Sequence, residues 1–154
     1  MRSLRFYKYM AKVKAKKSFG QHFLVDEAVS ERIADTVLGY GADTPLGQLP
    51  IVEIGPGTGA LTRWLDASGR ELVAVELDPE AAAYMRKAYP GVKLIEEDFL
   101  KMNLDSVFPG QKIALIGNYP YNISTQIFFR VLEHRNKVAL IHISEPTRRR
   151  GISY

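Results

Sequence analysis

The stretch "IVEIGPGTGALT", from Ile51 to Thr62, decides the fold. A short apolar run leads into glycines at positions 55, 57 and 59, and helix-forming residues follow. Glycine allows a sharp turn and lets a ligand approach the backbone closely, and the start of the following helix presents free N–H groups. The stretch therefore predicts a strand, a turn and a helix that bind a nucleoside cofactor. With Ala60 it also fits the G-x-G-x-x-G/A pattern, so NAD competes with S-adenosylmethionine at this point.

Apolar strands alternate with amphipathic helices on both sides of this stretch. Strands are expected at 51–55, 71–76, 92–97 and 111–117, with a fifth from Lys137. Helices are expected after a cap at Asp26, at 60–67, at 79–88 behind Pro79, and at 124–134. Such alternation predicts an α/β protein with a parallel sheet and flanking helices. In such sheets ligands bind beyond the carboxyl ends of the strands.

Two acidic residues follow successive predicted strands. Glu76 stands 21 residues beyond Gly55, and Asp98 follows the third strand together with Phe99. A carboxylate at the first position can accept hydrogen bonds from both hydroxyls of a ribose. An acid at the second can accept from the exocyclic amine of adenine, with the aromatic ring packed on the base. Either acid alone is more simply a solvated loop residue or a cap, but their common placement at strand ends favours a nucleoside site.

The peptide "GNYPYNIST", 117–125, follows the fourth predicted strand. The Asn118 side chain and a backbone carbonyl can both accept from the amino group of a planar base, and a Tyr ring can stack on that base for about 1–3 kcal/mol. Two acceptors localise the lone pair of the amine. If the cofactor is S-adenosylmethionine, its sulfonium methyl group is already activated. Transfer of that methyl group to the amine then needs alignment more than a strong base. The simpler alternative is that Pro120 shapes a turn and Tyr121 is a core aromatic residue.

Positive charge is concentrated in the first 17 residues, which hold seven Lys or Arg and no acid. Residues 18–139 hold eleven basic and sixteen acidic residues, a net charge of −5. The basic arm suits contact with phosphates, although a solvated terminus is an equal alternative. The chain has no cysteine and three scattered histidines, so we expect no metal site. Without a long apolar run or a secretory signal, we expect a cytoplasmic protein with no membrane span.

Taken in order, these elements resemble the KsgA-type ribosomal RNA adenine dimethyltransferases, from about residue 12 to residue 138. The resemblance is carried by "KKSFGQHFL" (16–24), "VEIGPGTGALT" (52–62), "VELD" (75–78), "EEDFL" (96–100), "GNYPYNIST" (117–125) and "RNKV" (135–138). It implies a Rossmann-like fold that depends on S-adenosylmethionine. It also implies transfer of two methyl groups to the N6 amine of adenines in small-subunit ribosomal RNA.

The resemblance also implies roles for particular residues. The cofactor would be bound by His22, Leu24, Gly55, Gly57, Glu76, Asp98 and Asn118, with Gly55 at the methionine part, Glu76 at the ribose and Asp98 at the adenine. Many members carry Asn where His22 stands. Asn118, Pro120 and Tyr121 would act on the target base, which must leave its stack to reach the methyl group. The RNA backbone would be contacted by Lys12, Lys14, Lys16 and Lys17.

The implied partner is small-subunit ribosomal RNA in an assembling subunit, with the enzyme acting as a monomer. Large-subunit RNA or DNA are alternative targets, because related methyltransferases share much of the pattern. A catalytically silent RNA-binding factor on the same fold is a further alternative, although an intact "NYPY" argues against it.

The chain departs from the family at its ends. We expect a basic arm at 1–17, an incomplete catalytic domain at 18–139, and no C-terminal helical domain. "LIHISEPTR", 140–148, resembles the translation of a common sequencing adapter, which predicts a non-native tail at 140–154. Met10 is an alternative start. We also expect an open sheet edge after the fourth strand, and a fragment that folds poorly or is inactive.

Overall fold

The computed structural model describes residues 26–119 and 121–144, without the side chains of Tyr121 and Asn122. This part of the chain forms a five-stranded sheet with helices on both faces. The strands are β1 (Ile51–Ile54), β2 (Leu72–Val75), β3 (Lys93–Ile95), β4 (Ile113–Asn118) and β5 (Val138–Ser144). The helices are α1 (Glu27–Leu38), α2 (Thr62–Ala67), α3 (Pro79–Ala88) and α4 (Tyr121–Glu133), with a 3₁₀ turn at Leu104–Ser106.

The strands lie in the order β3-β2-β1-β4-β5, and every neighbouring pair is parallel. The chain builds outward from β1 to β3 and then returns to the other side of β1 with β4. The order reverses between β1 and β4, and in sheets of this kind ligands bind beyond the carboxyl ends of the strands at that point. Ile54 and Gly117 are register partners there. The predicted Rossmann-like α/β architecture is confirmed.

Local signals placed most of the element boundaries. The carboxylate of Asp26 accepts from the backbone N–H of Ala28 and Val29, at 2.9 and 3.2 Å, and so caps α1 as predicted. α3 spans the predicted residues, with Pro79 in its first turn and Asp78 as its cap. α4 begins at Tyr121 rather than Ser124, because the buried stripe that predicts this helix begins only after its first turn.

The strand β5 removes the edge that was expected to be open. The expectation of an unpaired β4 is wrong, because β5 pairs with β4 from Ile113–Val138 to Asn118–Ser144, with one register shift next to Ile113. β5 continues five residues past the boundary drawn at Ala139. A non-native origin for 140–154 stays a prediction.

Apolar side chains fill both faces of the sheet. Alternation along β1 directs Val52 and Ile54 to one face and Ile51 to the other. The first face holds the larger cluster, with Leu104 and Ile127 among its members; on the second, α1 and α2 cover the sheet. Because β1 and β4 are buried on both faces, they read as nearly continuous apolar runs. Within 26–119 and 121–144, none of the helices has the length and apolarity that a membrane span requires.

Candidate functional site

The residues predicted for the cofactor meet at one edge of the sheet. Because all the strands are parallel, the segments that follow β1, β2, β3 and β4 emerge at the same edge. The structure thereby brings Gly55, Gly57, Glu76, Asp98 and Asn118 to the side of the sheet where the strand order reverses. The alternation of strands and helices in the sequence was enough to predict that these residues lie at one edge.

The turn after β1 depends on glycine. Gly55, Gly57 and Gly59 have φ angles of +60°, +57° and +85°, which other residues rarely adopt. The Gly55 N–H donates to the carbonyl of Val75 at 2.8 Å, and the Gly57 N–H donates to Oε2 of Glu76 at 3.1 Å. The turn is therefore fastened to the end of β2, which fixes the backbone that a cofactor would approach.

Glu76 is buried, at 5% exposure. Its Oε1 accepts from the Asp78 N–H at 3.1 Å, and its Oε2 holds Gly57. Burial raises the pKa of Glu76, and the hydrogen bonds from the backbone of Asp78 and Gly57 oppose that rise. Each carboxylate oxygen can accept more than one hydrogen bond, so Glu76 can still accept from ribose hydroxyls while it holds the turn.

Asp98 begins a tight turn after β3. Its Oδ1 accepts from the Leu100 N–H at 3.0 Å, and its backbone carbonyl accepts from Lys101 and Met102. One carboxylate oxygen thus shapes the turn, and the other is the candidate acceptor for an adenine amine. Phe99 is buried in the core beside Asp98, and packing of its ring on an adenine stays a prediction.

Asn118 is the last residue of β4. Its Oδ1 accepts from the hydroxyl of Ser144 at 3.0 Å. Ser144 lies in the segment predicted to be non-native, so we assign it no role. The remaining predicted site residues fall outside the described part of the structure, and their roles stay predictions: His22, Leu24, Pro120, the side chain of Tyr121, and Lys12, Lys14, Lys16 and Lys17.

Sequence reasoning missed a buried acid in the middle of β1. Glu53 is 1% exposed, and the Thr62 hydroxyl donates to its Oε2 at 2.6 Å. Burial raises the pKa of Glu53 to about 8, and the negative charge of Glu76 adds to the rise. The sequence did carry a signal, because Glu53 is the single charged residue in the apolar strand "IVEI". A buried strand rarely contains an acid without a partner.

Sequence reasoning also gave no separate role to Tyr119, which is 8% exposed. Its ring lies against both Gly55 and Gly117, where it would contact or overlap any added β-carbon. Within the described residues, the Tyr119 hydroxyl and the Thr58 hydroxyl are buried and have no hydrogen-bond partner. Burial raises the pKa of Tyr119 well above its usual value, as do Glu76 and Glu53, so the phenol stays neutral.

The groups at this edge fit an adenosyl group. Backbone N–H groups, two carboxylates and an amide are suited to hydroxyls and amines. Among residues 26–119 and 121–144, no cluster of three or more His, Asp or Glu side chains is arranged to hold a metal ion.

Comparison with known sequences gives concordant results. The sequence model of the family described as "Ribosomal RNA adenine dimethylase" matches residues 12–152. "Ribosomal RNA small subunit methyltransferase A" of Parabacteroides distasonis is 50% identical over 131 residues, which are 84% of this chain and 47% of the relative. Its counterpart in Bacteroides thetaiotaomicron is 51% identical over 129 residues, or 82% and 46%. The chain spans about half the length of these curated relatives.

Solved structures show the same fold. The crystal structure of the 23S rRNA methyltransferase ErmE aligns with a TM-score of 0.59 at 30% identity, over 80% of this chain and 47% of that one. A dimethyladenosine transferase from Plasmodium falciparum aligns with a TM-score of 0.59 at 22% identity, over 79% and 42%. At 22% identity, the likeness to the Plasmodium falciparum protein concerns the fold alone.

Proposed function

The chain belongs to the ribosomal RNA adenine dimethylase family, and from this premise we propose that it transfers methyl groups from S-adenosylmethionine to adenine N6 in small-subunit ribosomal RNA. One observation carries the proposal. The glycine turn, Glu76, Asp98 and Asn118 come from four different strand ends and meet at one edge of the sheet. That set can hold an adenosyl group on one side and a target amine on the other.

The cofactor half of the site comprises the turn and the two acids. Gly55 and Gly57 allow the methionine part to lie close to the backbone. Glu76, fixed by Gly57 and Asp78, accepts from the ribose hydroxyls, and Asp98 accepts from the adenine amine. His22 and Leu24 add contacts from the N-terminal segment. When bound, S-adenosylmethionine supplies a methyl group that its sulfonium already activates.

The target half of the site begins at Asn118. The Asn118 side chain accepts from the amine of an adenine that has left its stack, and Pro120 and Tyr121 hold the flipped base. Accepting these hydrogen bonds makes the nitrogen lone pair available for attack. Alignment then does most of the catalysis. Lys12, Lys14, Lys16 and Lys17 neutralise phosphates of the RNA, which adds affinity without reading sequence.

The choice of small-subunit RNA as the target follows from the relatives. The two small-subunit methyltransferases are 50% and 51% identical to this chain, whereas the 23S rRNA methyltransferase is 30% identical. We propose that the enzyme acts in the cytoplasm, as a monomer, on an assembling small subunit. Residues 1–17 form its basic arm and 18–139 its catalytic domain.

A chimera tests the activity directly. Residues 12–139 of this chain would replace the matching half of the Bacteroides thetaiotaomicron relative, which supplies the other half of the enzyme. The chimera is incubated with S-adenosylmethionine and undermethylated small subunits, and the nucleosides of the RNA are analysed by mass spectrometry. We expect dimethylated adenosine, and none from the Asn118→Ala chimera. A folded chimera that binds cofactor but leaves the RNA unmodified, while the intact relative modifies it, would refute the proposal.

A further inference from the structure

Tyr119 lies between the cofactor half of the site, at the glycine turn, and the target half, which begins at Asn118. It follows Asn118 directly, at the carboxyl end of β4. Its side chain turns into the core cluster that contains Ile54 and Ile127. The ring therefore lies below the site, at the level where β1 and β4 end side by side.

The ring fills the space that two missing side chains would take. A β-carbon on Gly55 would stand 3.1 Å from Cε1 of Tyr119 and 3.3 Å from its hydroxyl. A β-carbon on Gly117 would overlap the opposite edge of the same ring, and would also stand 2.9 Å from the carbonyl of Ile54. One aromatic ring thus packs against the turn that would bind the cofactor and against the residue that precedes Asn118.

The hydroxyl of Tyr119 does not stabilise the folded protein, so stability does not explain why a Tyr stands at this position. It is buried without a hydrogen-bond partner among the described residues, and burial of such a group is destabilising. A branched aliphatic residue would fill a core position without that cost. Leu, however, lacks the outer part of the ring, and Cε1 in that part is the Tyr119 atom nearest to a β-carbon on Gly55.

We propose that Tyr119 is a positioning residue, whose ring holds the glycine turn at a fixed distance from Asn118. The inference rests on the proposed function, since Gly55 and Asn118 then flank the methyl group and the amine that must align. Catalysis is sensitive to such spacing, because a displacement of about 1 Å can cost about a hundredfold in rate. Tyr119 itself need not touch cofactor or substrate.

The test is the affinity for S-adenosylhomocysteine, measured by titration calorimetry well below the melting temperature. Tyr119→Leu removes the ring, and we expect about a tenfold weaker affinity as the turn relaxes. Tyr119→Phe keeps the ring and should stay within about twofold of the wild type. Val107→Ala is the matched control. Val107 is buried in the same core cluster, but it adjoins Phe108, whose carbonyl binds Lys137 at the amino ends of the strands.

The outcomes separate the positioning role from simple core packing. A purely structural Tyr119 would lower the melting temperature in Tyr119→Leu, as in Val107→Ala, and leave the affinity unchanged, which would overturn the proposal. An equal loss of affinity in Tyr119→Phe and Tyr119→Leu would also overturn it, because the hydroxyl rather than the ring would then matter. A wild-type chain that binds no S-adenosylhomocysteine would overturn the proposed function, and the positioning role with it.

Discussion

Replacing Glu53 by Gln should stabilise the protein relative to the wild type, by an amount that grows as the pH rises. The Glu53 carboxyl lies in the middle of β1, at 1% exposure, with the Thr62 hydroxyl 2.6 Å from its Oε2. Gln has nearly the same shape, and its carbonyl oxygen can still accept from Thr62. The substitution therefore removes the ionisable group and changes the packing little.

The magnitude follows from the difference in pKa between the two states. Burial raises the pKa of Glu53 to about 8 in the folded protein, against about 4.3 for an exposed Glu. Between these values the folded state keeps a proton that the unfolded state has lost. The contribution of Glu53 to stability is therefore fully present below the lower pKa and is lost as the pH rises toward the upper one. The whole loss amounts to at most about 5 kcal/mol.

The assay is urea unfolding of wild type and Glu53→Gln between pH 5 and pH 8, followed by the fluorescence of Trp64, the single tryptophan of the chain. We expect the stability difference to grow with pH in favour of the variant. Glu133→Gln is the control, because the Glu133 side chain is 67% exposed and should give no such trend. A difference that stays flat over this range would refute the assignment of a protonated buried Glu53. A difference that favours the wild type at high pH would mean that Glu53 is ionised and paired.

Three further substitutions test the site and its core. In the chimera, Asn118→Ala should lower methyl transfer by more than about a hundredfold with little change in calorimetric affinity for S-adenosylhomocysteine, and unchanged turnover would contradict its role. Asp98→Ala should weaken the affinity for S-adenosylhomocysteine about tenfold more than that for S-inosylhomocysteine, which lacks the amine; equal losses would contradict an adenine contact. Tyr119→Phe should raise the melting temperature by about 2–4 °C in a calorimetric scan, and a fall of that size would show that the hydroxyl has a partner.

The fold could be predicted because its signals are local. Apolar periodicity, the cap at Asp26 and the Pro79 helix start each depend on neighbouring residues, and they placed the strands and helices within a few positions. The pairing of β4 with β5 was missed, because the native sequence was expected to end near Ala139, whereas β5 continues to Ser144. No periodicity in either segment specifies that partner.

The candidate site could be predicted in outline for a related reason. Parallel strands bring their carboxyl ends to one edge, so Gly55, Glu76 and Asn118 could be placed together from their order alone. Tyr119 could not, because its position depends on packing against Gly55, which precedes it by 64 residues. The sequence likewise could not show that the Glu76 carboxylate accepts a hydrogen bond from the Gly57 N–H.

The central claim is that this sheet edge binds the adenosyl group of a methyl donor and not a nicotinamide dinucleotide. The most direct test is calorimetric titration of the 154-residue chain with S-adenosylhomocysteine and, separately, with NAD. We expect one bound S-adenosylhomocysteine per chain, with an affinity that Asp98→Ala weakens, and no heat of binding from NAD. Binding of NAD in place of S-adenosylhomocysteine would contradict it.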